Sequence, residues 1–266
     1  MYSKIVKRIK PPDGIFPYII ARIKSLRLAN RLGFEIFRIP KSSSMAHEYG
    51  PVRPAATYSP WNKDHLFQAM FASIKGFTLV DKYRCFELWK LIEQVSKLEN
   101  GSIIEIGVWR GGTGALIAKQ AKNCQIKDTV FLCDTFTGVV KAGAEDSVYV
   151  GGEHADTSRQ AVEELIFTRM SLDNVEILEG IFPDQTGYRV EGMRFRFCHI
   201  DVDVYQSAKD VVDWIWDKMV PGGLIVYDDY GFGGCEGIRK HVEEQMMCRD
   251  RFVVHNLNGH AIILKL

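Results

Sequence analysis

The sequence predicts an α/β fold: a mostly parallel sheet with helices on both faces, closed by a C-terminal antiparallel hairpin and preceded by an N-terminal helical extension. Three observations predict it. From Ser102 onward, short apolar runs alternate with amphipathic ones, as successive strand–helix units require. Several of those runs are apolar almost throughout, the pattern of strands buried on both faces. Finally, Asn258-Gly259 separates the last two strand-like runs, RFVVHNL and HAIILKL, which predicts a type I′ turn between antiparallel neighbours.

Taken in order, the chain opens with a basic segment. Residues 1–44 hold ten Lys or Arg against Asp13 and Glu35, a net +8 in a chain whose total is +1. Between Ile15 and Ile39 these charges interleave with apolar residues, which suits an amphipathic helix. It reads as an accessory helix packed on its own domain or on a second copy in a homo-oligomer, in preference to an anchor for an anionic membrane surface. Residues 40–62 are rich in Ser, Pro, Gly and Ala and read as a linker or lid. This divides the chain into an extension over 1–62 and a globular domain over 63–266.

Helical spacing from Asp64 to Leu98 predicts two helices broken near Gly76. Then follow a strand SIIEIGV, a glycine-rich turn WRGGTG and a helix ALIAKQAK. TVFLCDTF is the second strand, and a long loop leads to a helix SRQAVEELIFTRM. NVEILEG and RFRFCHIDVDV are strands, SAKDVVDWIWDKM a helix, GGLIVYDDY a strand and GIRKHVEEQMM a helix. Ligands of such sheets gather at the carboxyl ends of the strands, where the strand order reverses.

Composition excludes several classes. With 46% hydrophobic and 25% charged residues, wholesale disorder is out. A near-neutral total charge does not suit a nucleic-acid binder. No apolar run reaches the roughly 18 residues that span a bilayer. The six cysteines form no CxxC pair and several sit inside apolar runs, so they read as reduced, buried thiols of a cytoplasmic protein.

The polar clusters of interest all fall at strand ends. Glu105 and Gly107 lead into Trp109-Arg110-Gly111-Gly112-Thr113-Gly114, a turn that lets the backbone approach a ligand and opens a helix N-terminus. The spacing is neither GxGxxG nor a P-loop, which disfavours an NAD-dependent dehydrogenase. Asp134 closes the second strand 27 residues after Gly107, where an acid accepts hydrogen bonds from ribose hydroxyls or caps the next turn. Asp201 and Asp203 end one apolar strand and Asp228 and Asp229 another. Carboxylates brought together there would repel unless a cation or protons neutralise them, and an all-oxygen donor set suits Mg²⁺. Helix capping, or pairing with Arg239 and Lys240, is the alternative. His199, His255 and His260 read as structural.

The segments EIGVWRGG, CDTFTG, LEGIFPDQ, HIDVDVYQSAKD, PGGLIVYDDY and GCEGIRK together resemble the macrocin O-methyltransferase (TylF-like) family over roughly residues 64–266. The resemblance implies the class I methyltransferase fold, a Rossmann-like three-layer sandwich, and methyl transfer from S-adenosylmethionine to a hydroxyl of a sugar on a natural product or glycan, with Mg²⁺. It implies that Glu105 and Gly107 hold the amino-acid part of the cofactor and Asp134 its ribose. Thr135 and Phe136 lie beside that ribose, and Gly180 lies at the adenine end. Asp201, Asp228 and Asp229 match the metal ligands, and Asp201 is also placed to take the proton of the acceptor hydroxyl. A catechol-like acceptor, or a protein that binds S-adenosylmethionine without catalysis, keeps the same fold. The loop from Thr135 to Ser158, with Tyr149 and Gly151-Gly152, and the basic extension lie outside those motifs. The loop is expected to shape the acceptor pocket or to form a lid.

Overall fold

A computed structural model describes Tyr49, Val52 and residues 56–266. The amphipathic helix expected between Ile15 and Ile39, and most of the expected linker, lie outside the described residues. Residues 52–266 cluster as one compact unit.

Helix α1 (His65–Ser73) starts where Asp64 accepts the backbone N–H of Phe67. Helix α2 (Lys82–Val95) starts at Asp81, whose carboxylate accepts the N–H groups of Tyr83 and Arg84. The break between them falls at Gly76, which has φ +87°. Strand β1 (Ser102–Ile106) leads into α3 (Gly112–Asn123), and β2 (Val130–Asp134) into the long loop. Helix α4 begins as Arg159–Glu163 and winds on as a π-turn over Glu164–Arg169, where a single regular helix was expected. Its widened turn is closed by bonds such as Met170 N–H to Leu165 O at 3.0 Å. Strands β3 (Val175–Glu179) and β4 (Phe195–Ile200), helix α5 (Tyr205–Ile215), β5 (Met219–Tyr227) and α6 (Glu236–Met246) complete the alternation. The hairpin β6 (Arg251–His255) and β7 (Ala261–Lys265) closes it.

The seven strands run β3-β2-β1-β4-β5-β7-β6, parallel except for β7, which pairs antiparallel with both β5 and β6. The order reverses between β1 and β4, which opens a crevice for ligands at the carboxyl ends of these two strands. Adjacent residues face opposite layers. Ile103, Leu132 and Phe197 join α1 to α4 on one face, while Ile104, Phe131 and Cys198 join α5 and α6 on the other. That is the three-layer sandwich expected.

The expected type I′ turn is not what joins β6 to β7. Asn256 N–H bonds to His260 O at 2.9 Å, leaving a three-residue connection, Leu257-Asn258-Gly259, in which only Gly259 has positive φ (+114°). A type I′ turn needs positive φ at both central residues. Asn258 instead spends its side chain on Glu87 Oε2 at 3.0 Å and on the N–H of His260 at 3.0 Å. All six cysteines are free thiols; four are buried, Cys124 is partly exposed and Cys248 exposed. Among the described residues, no helix is long and apolar enough to cross a membrane.

Candidate active site at the carboxyl ends of the strands

Register alone brings the key residues together. Ile106 pairs with Ile200, and Ile200 with Tyr227, so the next residues, Gly107, Asp201 and Asp228, emerge side by side. Asp201 N–H donates to Ile106 O at 2.9 Å and Asp228 N–H to Ile200 O at 3.0 Å. Gly107 has φ +87°, and a Cβ there would sit 1.7 Å from Asp201 O, so only glycine fits.

Above these tips lies a cavity of about 370 Å³, within the usual range for small-ligand sites. Gly107, Asp134, Thr135, Gly180, Asp201, Asp228 and Asp229 all line it. From the long loop Val148, Tyr149 and His154 also line it. Trp109 and Asp203, also in the lining, hold positive φ of 47° and 63°, strain of the kind that gathers at functional sites.

Two predicted residues sit elsewhere. Phe136 is not in the lining; its N–H caps Asp134 Oδ1 at 2.6 Å. Glu105 is fully buried beneath the glycine turn, with Oε1 2.8 Å from His199 Nδ1 and Oε2 without a hydrogen-bond partner among the described residues. A Cβ on Gly114 would come within 2.7 Å of that free oxygen, so Glu105 underpins the turn from inside the fold. Asp134 braces the same turn from outside, its Oδ2 accepting the N–H groups of Val108 at 2.6 Å and Trp109 at 2.8 Å.

Asp201, Asp228 and Asp229 place one oxygen each within 4.8 Å of one another, a spacing and donor set that a hard divalent cation would fit. Burial, reinforced by the neighbouring carboxylates, pushes the Asp201 carboxyl well above the usual range, and the same causes raise Asp229. Such crowding is what a cation would relieve. Burial raises Asp203, against the hydrogen bond it accepts from the Tyr149 hydroxyl, which works to lower it. Asp228 goes the other way: burial works against its charge, but His199, His260 and Arg84 hold it ionised.

These partners of Asp228 were not apparent from the sequence. Arg239 and Lys240, the pairing candidates there, contact Glu243 and Glu145 instead. The cation on Asp228 Oδ2 is Arg84, from the first turn of α2. His260 Nε2 lies 2.9 Å from Asp228 Oδ1, and His260 Nδ1 lies 2.6 Å from Glu87 Oε2. His199 sits with Nε2 3.6 Å from Asp228 Oδ1; burial opposes its protonation, yet Asp228 and Glu105 raise it to about 9. Hydrogen bonds thus link Glu87, His260 and Asp228, and a separate one links His199 to Glu105, with His199 Nε2 facing Asp228 beyond hydrogen-bond reach.

The chain is similar to known O-methyltransferases. The chain is 29% identical over 144 residues to the 8-demethyl-8-(2,3-dimethoxy-alpha-L-rhamnosyl)-tetracenomycin-C 4'-O-methyltransferase of Streptomyces olivaceus, covering 51% of this chain and 55% of that protein. It is 31% identical over 147 residues to the mycinamicin III 3''-O-methyltransferase of Micromonospora griseorubida, covering 51% and 57%. It thus spans just over half the length of these curated relatives. Among solved structures, the O-methyltransferase NovP superposes with a TM-score of 0.61 at 21% identity, over 71% of this chain and 82% of that one. A calicheamicin methyltransferase superposes at 0.58 and 15% identity, over 84% and 99%. Both carry the same fold. The pattern of the macrocin-O-methyltransferase (TylF) family matches residues 53–253, most of the chain, and the chain belongs to that family.

Proposed function

We propose that this chain transfers a methyl group from S-adenosylmethionine to a hydroxyl of a sugar or sugar-bearing natural product, with Mg²⁺ held by Asp201, Asp228 and Asp229. The observation that carries the reading is the convergence of three carboxylates from two neighbouring strand tips in the cavity that also contains the glycine turn. Family membership supports methyl transfer to oxygen. Similarity to a methyltransferase named for a rhamnosyl-bearing compound supports the sugar.

S-adenosylmethionine supplies an already electrophilic methyl carbon, and a divalent cation supplies Lewis acidity that makes an alcohol easier to deprotonate. The chain supplies the rest. The Gly107 turn, braced by Asp134 and lying over Glu105, would let backbone approach the cofactor, and Asp134, with three N–H groups already on its carboxylate, keeps one lone pair on Oδ1 for a ribose hydroxyl. Asp201, at the strand tip lining the cavity, would accept the hydroxyl proton as the methyl carbon leaves sulfur and bonds to oxygen, releasing S-adenosylhomocysteine. The remaining work is alignment of oxygen, carbon and sulfur in line, for which fixed strand ends are well suited.

The test is calorimetric titration with S-adenosylmethionine, followed by transfer of labelled methyl to a panel of deoxysugar glycosides with and without EDTA. The expected result is cofactor binding, turnover abolished by EDTA, and an Asp201→Asn variant that binds cofactor but loses at least about 100-fold in turnover. Absence of cofactor binding by folded protein would sink the reading. Cofactor binding with no transfer to any hydroxyl would leave a binding protein in its place.

A further inference from the structure

Arg84 is a cation already seated in the carboxylate cluster. Arg84 is 8% exposed, and its guanidinium donates Nε–H to Asp81 Oδ2 at 2.8 Å and makes an ion pair from Nη1 to Asp228 Oδ2. One face lies 4.5 Å from the centroid of the Phe232 ring, and both side chains border the cavity. Burial disfavours the charge, but Asp228, Asp81 and Asp201 together keep it.

The other oxygen of Asp228 is also engaged, with His260 Nε2 at 2.9 Å and His199 Nε2 at 3.6 Å. An ion that took an oxygen of Asp228 would therefore share it either with a fixed positive charge or with an imidazole. Arg84 has somewhere to go. Asp81 is its second anion, half-exposed and anchored as the N-cap of α2, so a guanidinium that left Asp228 would remain paired.

This rests on the metal reading above. We propose that Arg84 is the built-in counter-cation of the cluster: a divalent ion competes with its guanidinium for Asp228, and Arg84 falls back on Asp81 when the ion binds. The pairing neutralises buried Asp228 without metal, at the expense of metal affinity, because two cations compete for one carboxylate and repel each other across it. A residue that merely oriented Asp228 for metal would act in the opposite direction, and its removal would weaken binding.

The sign of the change decides. Mn²⁺ is titrated into the full chain and followed by loss of the free-ion paramagnetic signal, with Mg²⁺ calorimetry in parallel, for wild type, Arg84→Met and Arg84→Lys. Arg84→Met is expected to bind Mn²⁺ on the order of tenfold more tightly. Arg84→Lys, which keeps the charge, is expected to stay close to wild type. The melting temperature of Arg84→Met is expected to fall without metal and recover with Mn²⁺, whereas that of wild type moves less. If Arg84→Met does not fold, Arg84→Gln, which keeps polar contacts without charge, carries the same expectation. Unchanged or weaker Mn²⁺ binding by the neutral variants, with wild type binding normally, overturns the competition but leaves the metal site standing. No Mn²⁺ binding by any of these proteins, with cofactor binding intact, removes both.

Discussion

At the scale of single residues, position along a strand decides role. Asp201 and Asp228 each follow an apolar strand by one residue, so the register that buries Ile200 and Tyr227 sets both carboxylates at the tip. Gly107 has the least freedom of any residue there. A Gly107→Ala variant must push the Asp201 carbonyl away while holding φ +87°, and it is expected to lose at least about 3 kcal/mol in urea melts. Calorimetry of the same variant is expected to find no S-adenosylmethionine binding. Wild-type stability with intact binding would mean that the turn moves freely. The aspartates themselves were legible in HIDVDVY and VYDDY because acids directly after buried strands have few structural uses. Arg84 and His260 were not, since their partner Asp228 is 144 and 32 residues distant.

At the scale of elements, α2 and the closing hairpin carry more than their packing. Buried Cys85, Leu88, Trp89, Ile92 and Val95 fix α2 against the sheet, and that seating aims Arg84 at Asp228 and Glu87 at the hairpin. Glu87 in turn takes Asn256, Asn258 and His260, which explains why the Asn258-Gly259 connection departs from the turn its sequence suggests. The other end of the hairpin is tied to the residues after α5. Asp250 accepts Nε1–H of Trp216 at 2.6 Å, and the guanidinium of Arg251 lies 3.5 Å from the centroid of the Trp216 ring. Arg251 above all draws the Asp250 carboxyl from 3.8 down to about 2; desolvation opposes it, and the Trp216 bond adds to the lowering. A carboxyl lowered by folding adds stability in full above its ordinary value, and that stability is lost as pH falls through the folded one. Asp250→Asn is therefore expected to lower neutral-pH stability modestly, by under about 1 kcal/mol for so exposed a pair. It is also expected to flatten the dependence between about pH 4 and pH 2 in acid titrations of Trp216 fluorescence. An unchanged acid limb would show that the Asp250 contacts contribute nothing.

At the scale of the whole molecule, the compact unit beginning at Val52 nearly coincides with the family match beginning at residue 53. A chain starting at Val52 is expected to melt in one cooperative transition and to bind S-adenosylmethionine like the full chain. A truncated chain that failed to fold, or lost the cofactor, would make the basic segment part of the domain. The sequence by itself determined the alternation of strands and helices, the closing hairpin, the glycine turn and the acids at the strand tips. These follow from local periodicity and from residues whose backbone or charge has few alternatives, so neighbours in sequence suffice to read them. Only the tertiary structure decided which charges meet: that Glu105 supports the turn from below, that Asp134 braces it, and that Asp228 is claimed by Arg84 and His260. Ion pairs and buried hydrogen bonds depend on distance in space, and the register of seven strands, not the order of residues, sets that distance.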